Sequence, residues 1–267
     1  EYKDLRKKVK DLKVFAHVDS VVTTPFDMLA NQISEDLRQH RRHGSCGIGI
    51  YATLQRHNVH PLTLKDLVTL SQIQLISKLK TIRDYYLDLF KPILSPDQLD
   101  LFTDAVDEHV YIHPQQTVHR IDACIKSDKF LLIFDHLVFE GAQGLLLDQQ
   151  YGDAPHLTPS NTGLDNVIDI IQSQPSFGKR LPDLDVYYVS RIYATRHGNG
   201  PLAFECSKEE LGLKNMEKET NVANLYQGSF RYGKLDIPRL KSVTTQDFAK
   251  YSGGKRLHYA ITCLDQV

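Results

Sequence analysis

A glutamine beside glycines gives the clearest chemical signal in this sequence. The segment Phe139–Gly144 follows a short apolar run that favours a buried strand, and it contains Gln143. The side-chain amide of Gln143 can donate one hydrogen bond and accept another, as the lactam edge of a purine requires. Ligands of open α/β sheets bind beyond the carboxyl ends of the strands, so the segment predicts a purine-binding turn. A tight turn with a solvated glutamine is the alternative.

Hydroxyl and amide side chains follow a few residues later. The segment Asp148–Asn161 ends with Thr158, Ser160 and Asn161. These side chains can hydrogen-bond a phosphate, or they can cap the helix that follows. Capping is the commoner use of such residues, so this segment taken alone favours a helix cap.

Three further segments combine glycine with polar or basic residues. Gly44–Gly49 holds three glycines and suits a loop whose backbone approaches a ligand closely. Tyr193–Glu205 places an arginine and a histidine beside glycines, which suits a mobile substrate loop and equally an ordinary turn. Glu219–Gly233 supplies Arg231, whose guanidinium can hold a carboxylate or a phosphate through two hydrogen bonds.

The phosphate-loop pattern G-x-x-x-x-G-K-[ST] does not occur in the sequence. The nearest approach is at Gly254 and Lys255, where Arg256 follows the lysine and Ala249 stands in place of the first glycine. The residues therefore indicate no P-loop of their own.

Helices and apolar runs that suit buried strands alternate along the chain and would position these loops. Pro25 begins a helix that extends to Leu37. Thr63, with Asp66 three residues on, can cap a longer helix that ends near Leu89. Shorter helices are predicted over 96–106 and 115–126, and strands over 130–134, 137–140, 186–193 and 257–262. The alternation predicts an α/β fold with a mostly parallel central sheet, in one large domain over residues 1–267.

Composition and charge argue against several classes of protein. A net charge of -1 and a pI of about 7.0 argue against a dedicated nucleic-acid-binding protein. No apolar run approaches the roughly 20 residues of a membrane span. The four cysteines form no C-x-x-C pair, which argues against a disulfide framework and a local zinc site. We therefore expect a soluble cytoplasmic protein without a local metal-binding motif.

Taken in order along the chain, the glycine-rich segments resemble the adenylosuccinate synthetase family. Gly44–Gly49 is similar to the family's G-T-T-G-R-G loop. Phe139–Gly144 and Thr158–Asn161 together are similar to its F-E-G-A-Q-G…V-T-S-S-N segment. Tyr193–Pro201 resembles Y-x-T-R-V-G-x-G-P, and Tyr232–Asp236 resembles T-G-W-L-D.

A fifth match, Thr262–Asp265 against T-K-L-D, completes the series from about Val14 to the end of the chain. The resemblance implies an α/β fold related to the P-loop NTPases. It also implies a reaction that joins L-aspartate to C6 of IMP, with GTP and Mg²⁺. The 6-oxygen is first phosphorylated, and the amine of aspartate then displaces it. The family further implies a homodimer whose sites are completed across the interface.

The resemblance assigns nucleotide-binding roles to residues of this sequence. Gln143 would contact the 6-oxygen region of the purine. Ser45, Cys46 and Thr158 would lie beside the nucleotide phosphate. Asp265 would bind the guanine base, because a carboxylate accepts from both N1 and N2.

Two arginines receive roles from the same resemblance. Arg231 would bind the substrate aspartate, and Arg56 would match an arginine that reaches the nucleotide of a partner subunit. The family's arginine-rich aspartate loop is, however, reduced here to Gln227–Arg231, and Cys263 replaces the family's lysine before Leu264.

The catalytic residues are expected upstream of Glu1. The family's G-D-E-G-K-G loop, with its catalytic aspartate and the histidine that follows, has no match in the sequence, nor has the C-terminal base-binding tail. The residues that differ from the family's motifs are closer to those of the divergent phage and archaeal branch. That branch includes phage enzymes that join aspartate to dGMP with ATP. We expect a partial domain of a purine-nucleotide ligase that uses IMP or dGMP, and GTP or ATP. A non-catalytic purine-nucleotide-binding module, or a subunit without its own phosphate loop, is the alternative.

Overall fold

The computed structural model describes residues 2–104, 123–125, 131, 133–174, 181–214, 219, 221 and 223–266. Contacts between Cα atoms divide the chain into two compact units. Unit 1 comprises Glu1–Ser34 and Ile48–Phe130, and unit 2 comprises Glu35–Gly47 and Leu131–Val267. Among the described residues, no helix combines the length and the apolar character that a membrane crossing requires.

Unit 1 is largely helical, and its core follows one face of a long helix. Its helices are α1 (Tyr2–Lys8), α2 (Pro25–Arg38, whose last turn belongs to unit 2), α3 (Ile50–His57), α4 (Leu64–Thr69), α5 (Gln72–Phe90) and α6 (Pro96–Asp104). Strand β1 (Phe15–His17) pairs in parallel with β2 (Ala123–Ile125). The buried side chains of α5 recur at helical spacing and form one cluster with Phe26 and Phe102; they are Leu75, Leu79, Ile82, Tyr86 and Phe90.

Two helices replace the single helix predicted from Thr63 to Leu89. Thr63 and Asp66 form the predicted capping box at the start of α4. A second capping box, between Ser71 and Gln74, begins α5 and interrupts the helix between them. The apolar spacing continues across this break, so spacing alone did not reveal it.

The longest strand pairing in unit 2 is parallel. Strands β3 (Leu184–Arg191) and β7 (Lys255–Thr262) pair along their full length. Helices α7 (Asp165–Gln172) and α8 (Ile237–Ala249) contribute to the apolar cluster on one face of this pair, whose buried members are Leu164, Ile171, Val186 and Tyr251. A separate antiparallel sheet has the order β4 (Ala194–His197), β6 (Phe230–Gly233), β5 (Glu205–Cys206). Short 3-10 helices cover Gln39–Arg41, Leu145–Leu147 and Leu264–Gln266.

The α/β class predicted from the sequence is confirmed, and both two-stranded sheets are parallel. The strands predicted over 186–193 and 257–262 are observed as β3 and β7, within two residues of the predicted bounds. The strand predicted over 137–140 is wrong. These residues form no strand and Val138 is 92% exposed, because an apolar run becomes a strand only where another strand pairs with it.

Two other predicted elements fall partly outside the described residues. Of the predicted strand 130–134, residues 131, 133 and 134 are described and form no strand. Phe130 and Leu132 of the predicted strand 130–134 are not described, and neither are residues 115–122 of the predicted helix 115–126. Within that helix, Ala123–Ile125 is described and forms β2, so this end of the prediction is wrong. Pairing with β1 outweighs the local helical spacing there.

Candidate functional site

Two glycine turns of unit 2 touch through their backbones. Gly44 and Gly198 both adopt positive φ angles, 78° and 89°. A Cβ atom on Gly44 would lie 2.6 Å from the Asn199 nitrogen and 2.8 Å from the Gly198 Cα, so only glycine permits this approach. The Asn199 side-chain amide donates to the Arg42 carbonyl oxygen across the same junction. The predicted phosphate-binding turn after Gly44 is thereby held against the turn that begins at Gly198.

A buried carboxylate fixes the Gly44 turn. The Glu35 side chain is almost fully buried, and its Oε2 accepts a hydrogen bond from the Gly44 nitrogen at 3.0 Å. Its Oε1 accepts from Arg38 Nη1 at 2.6 Å. Since Ser45 follows directly, Glu35 positions the backbone of a predicted nucleotide-binding residue. The apolar spacing of α2 gives no signal for this role, because the partner of Glu35 lies nine residues downstream in a loop.

Asp148 ties the Gln143 turn to the segment that follows it. Its carboxylate is buried, and Oδ2 accepts a hydrogen bond from the backbone nitrogen of Thr162 at 2.5 Å. The Thr162 hydroxyl lies 3.2 Å from this carboxylate oxygen and 3.2 Å from the Gly144 carbonyl oxygen. The sequence gives no signal for this role of Asp148, because Thr162 lies 14 residues downstream.

His156, two residues before Thr158, links the Thr158 segment to the Ser45 turn. Thr158 itself lies on the segment that Asp148 ties to the Gln143 turn. The His156 ring meets the ring of His43 edge-on, with centroids 6.0 Å apart, and His43 lies two residues before Ser45. The structure thus places these three predicted nucleotide-binding residues on linked loops of one unit.

The predicted nucleotide-binding side chains of unit 2 are accessible. Gln143, Cys46 and Asp265 are exposed, and Ser45 and Thr158 are half-buried. Asp265 follows β7, at the carboxyl end of a parallel strand. Gln143 has a φ of +69°, an uncommon conformation for a residue other than glycine, and such outliers cluster at ligand-binding sites.

The capping interpretation of the Thr158 segment is wrong. Helix α7 begins at Asp165 with Leu164 as its N-cap, and no side chain caps it. The Leu164 nitrogen donates instead to the buried carboxylate of Asp247, 3.1 Å away. The hydroxyls of Thr158 and Ser160 lie 3.2 Å from each other and are not used as helix caps. Phosphate binding by Thr158 stays a prediction.

Arg231 already binds a carboxylate of this chain. Its Nε lies 2.7 Å from Glu205 Oε1, and its Nη2 donates to Oε2 of the same side chain, which is a bidentate pair. Its Nη1 donates to the carbonyl oxygens of Gly198 at 3.1 Å and Gly200 at 2.8 Å. The predicted aspartate clamp therefore orders the glycine turn in this structure. Binding of a substrate carboxylate by Arg231 stays a prediction, and it would require Glu205 to move away.

Arg56 is fully buried inside unit 1. Its Nε and Nη2 pair with the Asp27 carboxylate at 3.1 Å and 2.9 Å. It also donates to the carbonyl oxygens of Val22 at 2.7 Å and His60 at 3.0 Å. The structure gives Arg56 a structural role that the sequence did not indicate. Contact with a partner's nucleotide stays a prediction that this buried position does not support.

An ion pair at the end of β3 predicts an acid-sensitive contribution to stability. Arg191 donates to Glu219, and this hydrogen bond lowers the pKa of Glu219 from 4.5 to about 2. A carboxyl whose pKa is lower in the folded state stabilises the fold above its unfolded pKa and loses that contribution as the pH falls through the folded pKa. We therefore expect part of the stability of unit 2 to be lost between pH 4.5 and about pH 2.

Thermal unfolding of the wild type and of Glu219→Gln, measured across that pH window, tests this expectation. The difference between their unfolding midpoints should be largest near neutral pH and should shrink on acidification. A difference that does not change with pH would contradict the assignment. Glu209 is 72% exposed and lies 3.9 Å from Lys208 on the surface, so Glu209→Gln is the control for the same window.

Comparison with known proteins gives one consistent family. A family model described as adenylosuccinate synthetase matches residues 1–252. The adenylosuccinate synthetase of Halothermothrix orenii is 29% identical over 225 residues, which cover 82% of this chain and 50% of that protein. The Picosynechococcus enzyme of the same name is 29% identical over 215 residues, which cover 76% and 44%. The chain thus spans about half the length of the curated relatives it matches.

Among solved structures, the chain is similar to a cyanophage S-2L succinoaminodeoxyadenylate synthetase (PurZ) bound to dGMP and to dATP as an energy donor. The TM-score is 0.46 and the sequence identity is 15%, over 93% of this chain and 60% of that one. The two structures therefore correspond only in part.

Proposed function

Because this chain belongs to the adenylosuccinate synthetase family, we propose that residues 1–267 form the purine-monophosphate-binding part of an aspartate ligase. The ligase would join L-aspartate to C6 of IMP, or of dGMP as in the phage-type variant. GTP or ATP would supply the phosphoryl group together with Mg²⁺. By analogy with the family, the protein would act as a cytoplasmic homodimer.

One observation supports this proposal above the others. The turns that carry Ser45, Thr158 and Gln143 lie on linked loops of unit 2, although they are far apart in sequence. The Ser45 and Thr158 hydroxyls could donate hydrogen bonds to a 5′-phosphate. The Gln143 amide can pair with a purine lactam edge. A site of this kind would contribute by positioning the 6-oxygen for phosphoryl transfer. Holding the reacting groups in the right geometry makes a step between two molecules behave as a step within one.

Mg²⁺, when bound with the triphosphate, neutralises charge that develops on the transferred phosphoryl group. In the part of the chain that the structure describes, no group of three or more His, Cys, Asp or Glu residues is placed to hold a metal ion. We therefore assign no Mg²⁺ ligand to these residues. Their proposed contribution is to bind and orient the nucleotide that accepts the phosphoryl group.

Aspartate-dependent release of phosphate from GTP or ATP, with IMP or dGMP present, tests the full proposal on a protein that includes the phosphate loop expected upstream of Glu1. Calorimetric titration with each monophosphate tests the binding step separately. Binding without turnover would support the alternative, a purine-nucleotide-binding module or a subunit that needs a phosphate loop from elsewhere. If neither monophosphate binds, the proposed function is wrong.

The Gln143→Ala variant is expected to weaken binding of the purine monophosphate by about 1–3 kcal/mol, because a polar edge of the base would lose its partner. Calorimetric titration measures this loss. Gln246→Ala is the matched control, since Gln246 is an exposed glutamine on α8 whose amide donates to the Ser242 hydroxyl. Equal affinities for both variants and the wild type would remove Gln143 from the site.

A further inference from the structure

The positive charges of Arg231 and Arg239 act on a third arginine of unit 2, Arg196, and the described residues supply carboxylate partners only to Arg231 and Arg239. Arg231 pairs with Glu205, and Arg239 pairs with Asp153 at 2.7 Å. The third, Arg196, forms no ion pair with a described residue. Burial, together with the positive charges of Arg231 and Arg239, lowers the pKa of Arg196, and Asp153 offsets this only in part. The cluster therefore carries one positive charge without a close counter-ion.

The guanidinium of Arg196 is bound on one side only. Arg196 is 9% exposed; its Nε donates to the Asn199 carbonyl oxygen at 2.8 Å and its Nη2 to the His156 carbonyl oxygen at 2.6 Å. Both acceptors are neutral, and Nη1 has no hydrogen-bond partner among the described residues. A buried cation is costly unless an opposite charge accompanies it, so this position favours an anion.

His156 provides an independent observation beside Arg196. Its Nδ1 is buried and, within the described ranges, has no hydrogen-bond partner. A neutral imidazole can donate through Nδ1, so this atom can bind an oxyanion. A Cβ atom on Gly200 would lie 2.6 Å from both Arg196 Nη2 and His156 Cβ, which shows how closely the two residues approach.

We propose that Arg196 and His156 form an oxyanion-binding site. The oxyanion is either the phosphate of the purine monophosphate or a carboxylate of the acceptor amino acid, and this choice rests on the proposed function. Thr158 lies two residues from His156, and the ring of His43 connects His156 to the Ser45 turn. These neighbours favour the phosphate. An oxyanion from either source would balance the positive charge of Arg196.

Titration with inorganic phosphate tests the site, with succinate as the carboxylate probe and chloride at matched ionic strength as the reference. The wild-type chain should bind phosphate saturably in calorimetry. Arg196→Met should weaken this binding about tenfold to a hundredfold, the effect of losing hydrogen bonds from a charged donor. Arg256→Met removes the same charge from a side chain that is 65% exposed, and it should bind phosphate as the wild type does.

A second variant keeps the test decisive if Arg196→Met does not fold. His156→Phe retains the backbone carbonyl that accepts from Arg196 and an aromatic ring beside His43, and it replaces the imidazole with a somewhat larger ring that has no nitrogen. It should weaken phosphate binding several-fold. The proposal is overturned if the wild type binds neither phosphate nor succinate, or if both variants bind as tightly as the wild type.

Competition experiments identify the oxyanion and separate this inference from the proposed function. Displacement of phosphate by IMP or dGMP would assign the site to the nucleotide phosphate, and displacement by succinate alone would assign it to the amino acid. A chain that binds phosphate or succinate through Arg196 but binds neither monophosphate would retain the oxyanion site and lose the proposed function.

Discussion

Replacing Asp27 with alanine is expected to lower the free energy of unfolding by about 3–5 kcal/mol, because the change leaves a buried arginine without its counter-ion. The Asp27 carboxylate accepts hydrogen bonds from Arg56 and from the Tyr86 hydroxyl, the latter at 2.8 Å. Burial and the nearby carboxylate both raise the pKa of Tyr86. Asp27 also accepts from the backbone nitrogen of Thr24 at 2.7 Å. Urea unfolding followed by circular dichroism measures the loss.

Asp84→Ala is the matched control for Asp27→Ala. Asp84 lies in the same unit and pairs with Arg83, but its side chain is 56% exposed. An exposed pair of this kind contributes about 0–1 kcal/mol. The double variant Asp27→Leu, Arg56→Met should recover much of the lost stability, since apolar residues can replace a buried pair. A loss below about 1 kcal/mol for Asp27→Ala would show that the pair is not desolvated as the structure indicates.

Gly44→Ala is expected to weaken binding of the purine monophosphate more than tenfold and to lower stability by about 2–4 kcal/mol. The new Cβ atom would meet the backbone nitrogen of Asn199 at 2.6 Å, and backbone atoms cannot rotate away as a side chain can. The substitution also places alanine at a φ of +78°. The two turns would have to separate, and Ser45 would move with them. Calorimetric titration and urea unfolding measure the two effects.

Gly212→Ala separates the clash from the backbone strain. Gly212 has a φ of +68°, and a Cβ atom there would have no neighbour within 4 Å. Both variants share the strain of positive φ, so the difference between them measures the contact between the turns. Equal losses of stability, with nucleotide binding retained in both variants, would show that the Gly44 approach does not shape the site.

Local sequence patterns correctly predicted the helices and caps that are formed by residues close together in the chain. The buried face of α5 follows from apolar spacing within one helix, and the Thr63–Asp66 cap follows from two residues three positions apart. The break before α5 was missed because a second capping box lies within a continuous apolar pattern. The strand predicted over 137–140 failed because strand formation depends on a partner that the segment itself does not specify.

The order of the glycine-rich segments along the chain indicates the family, and the match over residues 1–252 confirms it. The same motifs did not indicate which charged side chains are already used inside the protein. The family resemblance implies ligand-binding roles for Arg56 and Arg231, whereas the structure pairs them with Asp27 and Glu205. Sequence motifs contain only residue types and spacing. An arginine that binds a ligand cannot be distinguished in them from an arginine that orders a loop.

The sequence by itself determined the family, the α/β class and the course of the main helices, because each depends on residue types at short, regular intervals. Only the tertiary structure decided that Glu35 fixes the Gly44 turn, that Arg231 is neutralised by Glu205, and that Arg196 lacks a close counter-ion among the described residues. These features depend on distances in space between residues that are far apart along the chain; Arg231 and Glu205, for example, are 26 positions apart. Electrostatic balance is set by such distances, and no spacing rule along the chain encodes them.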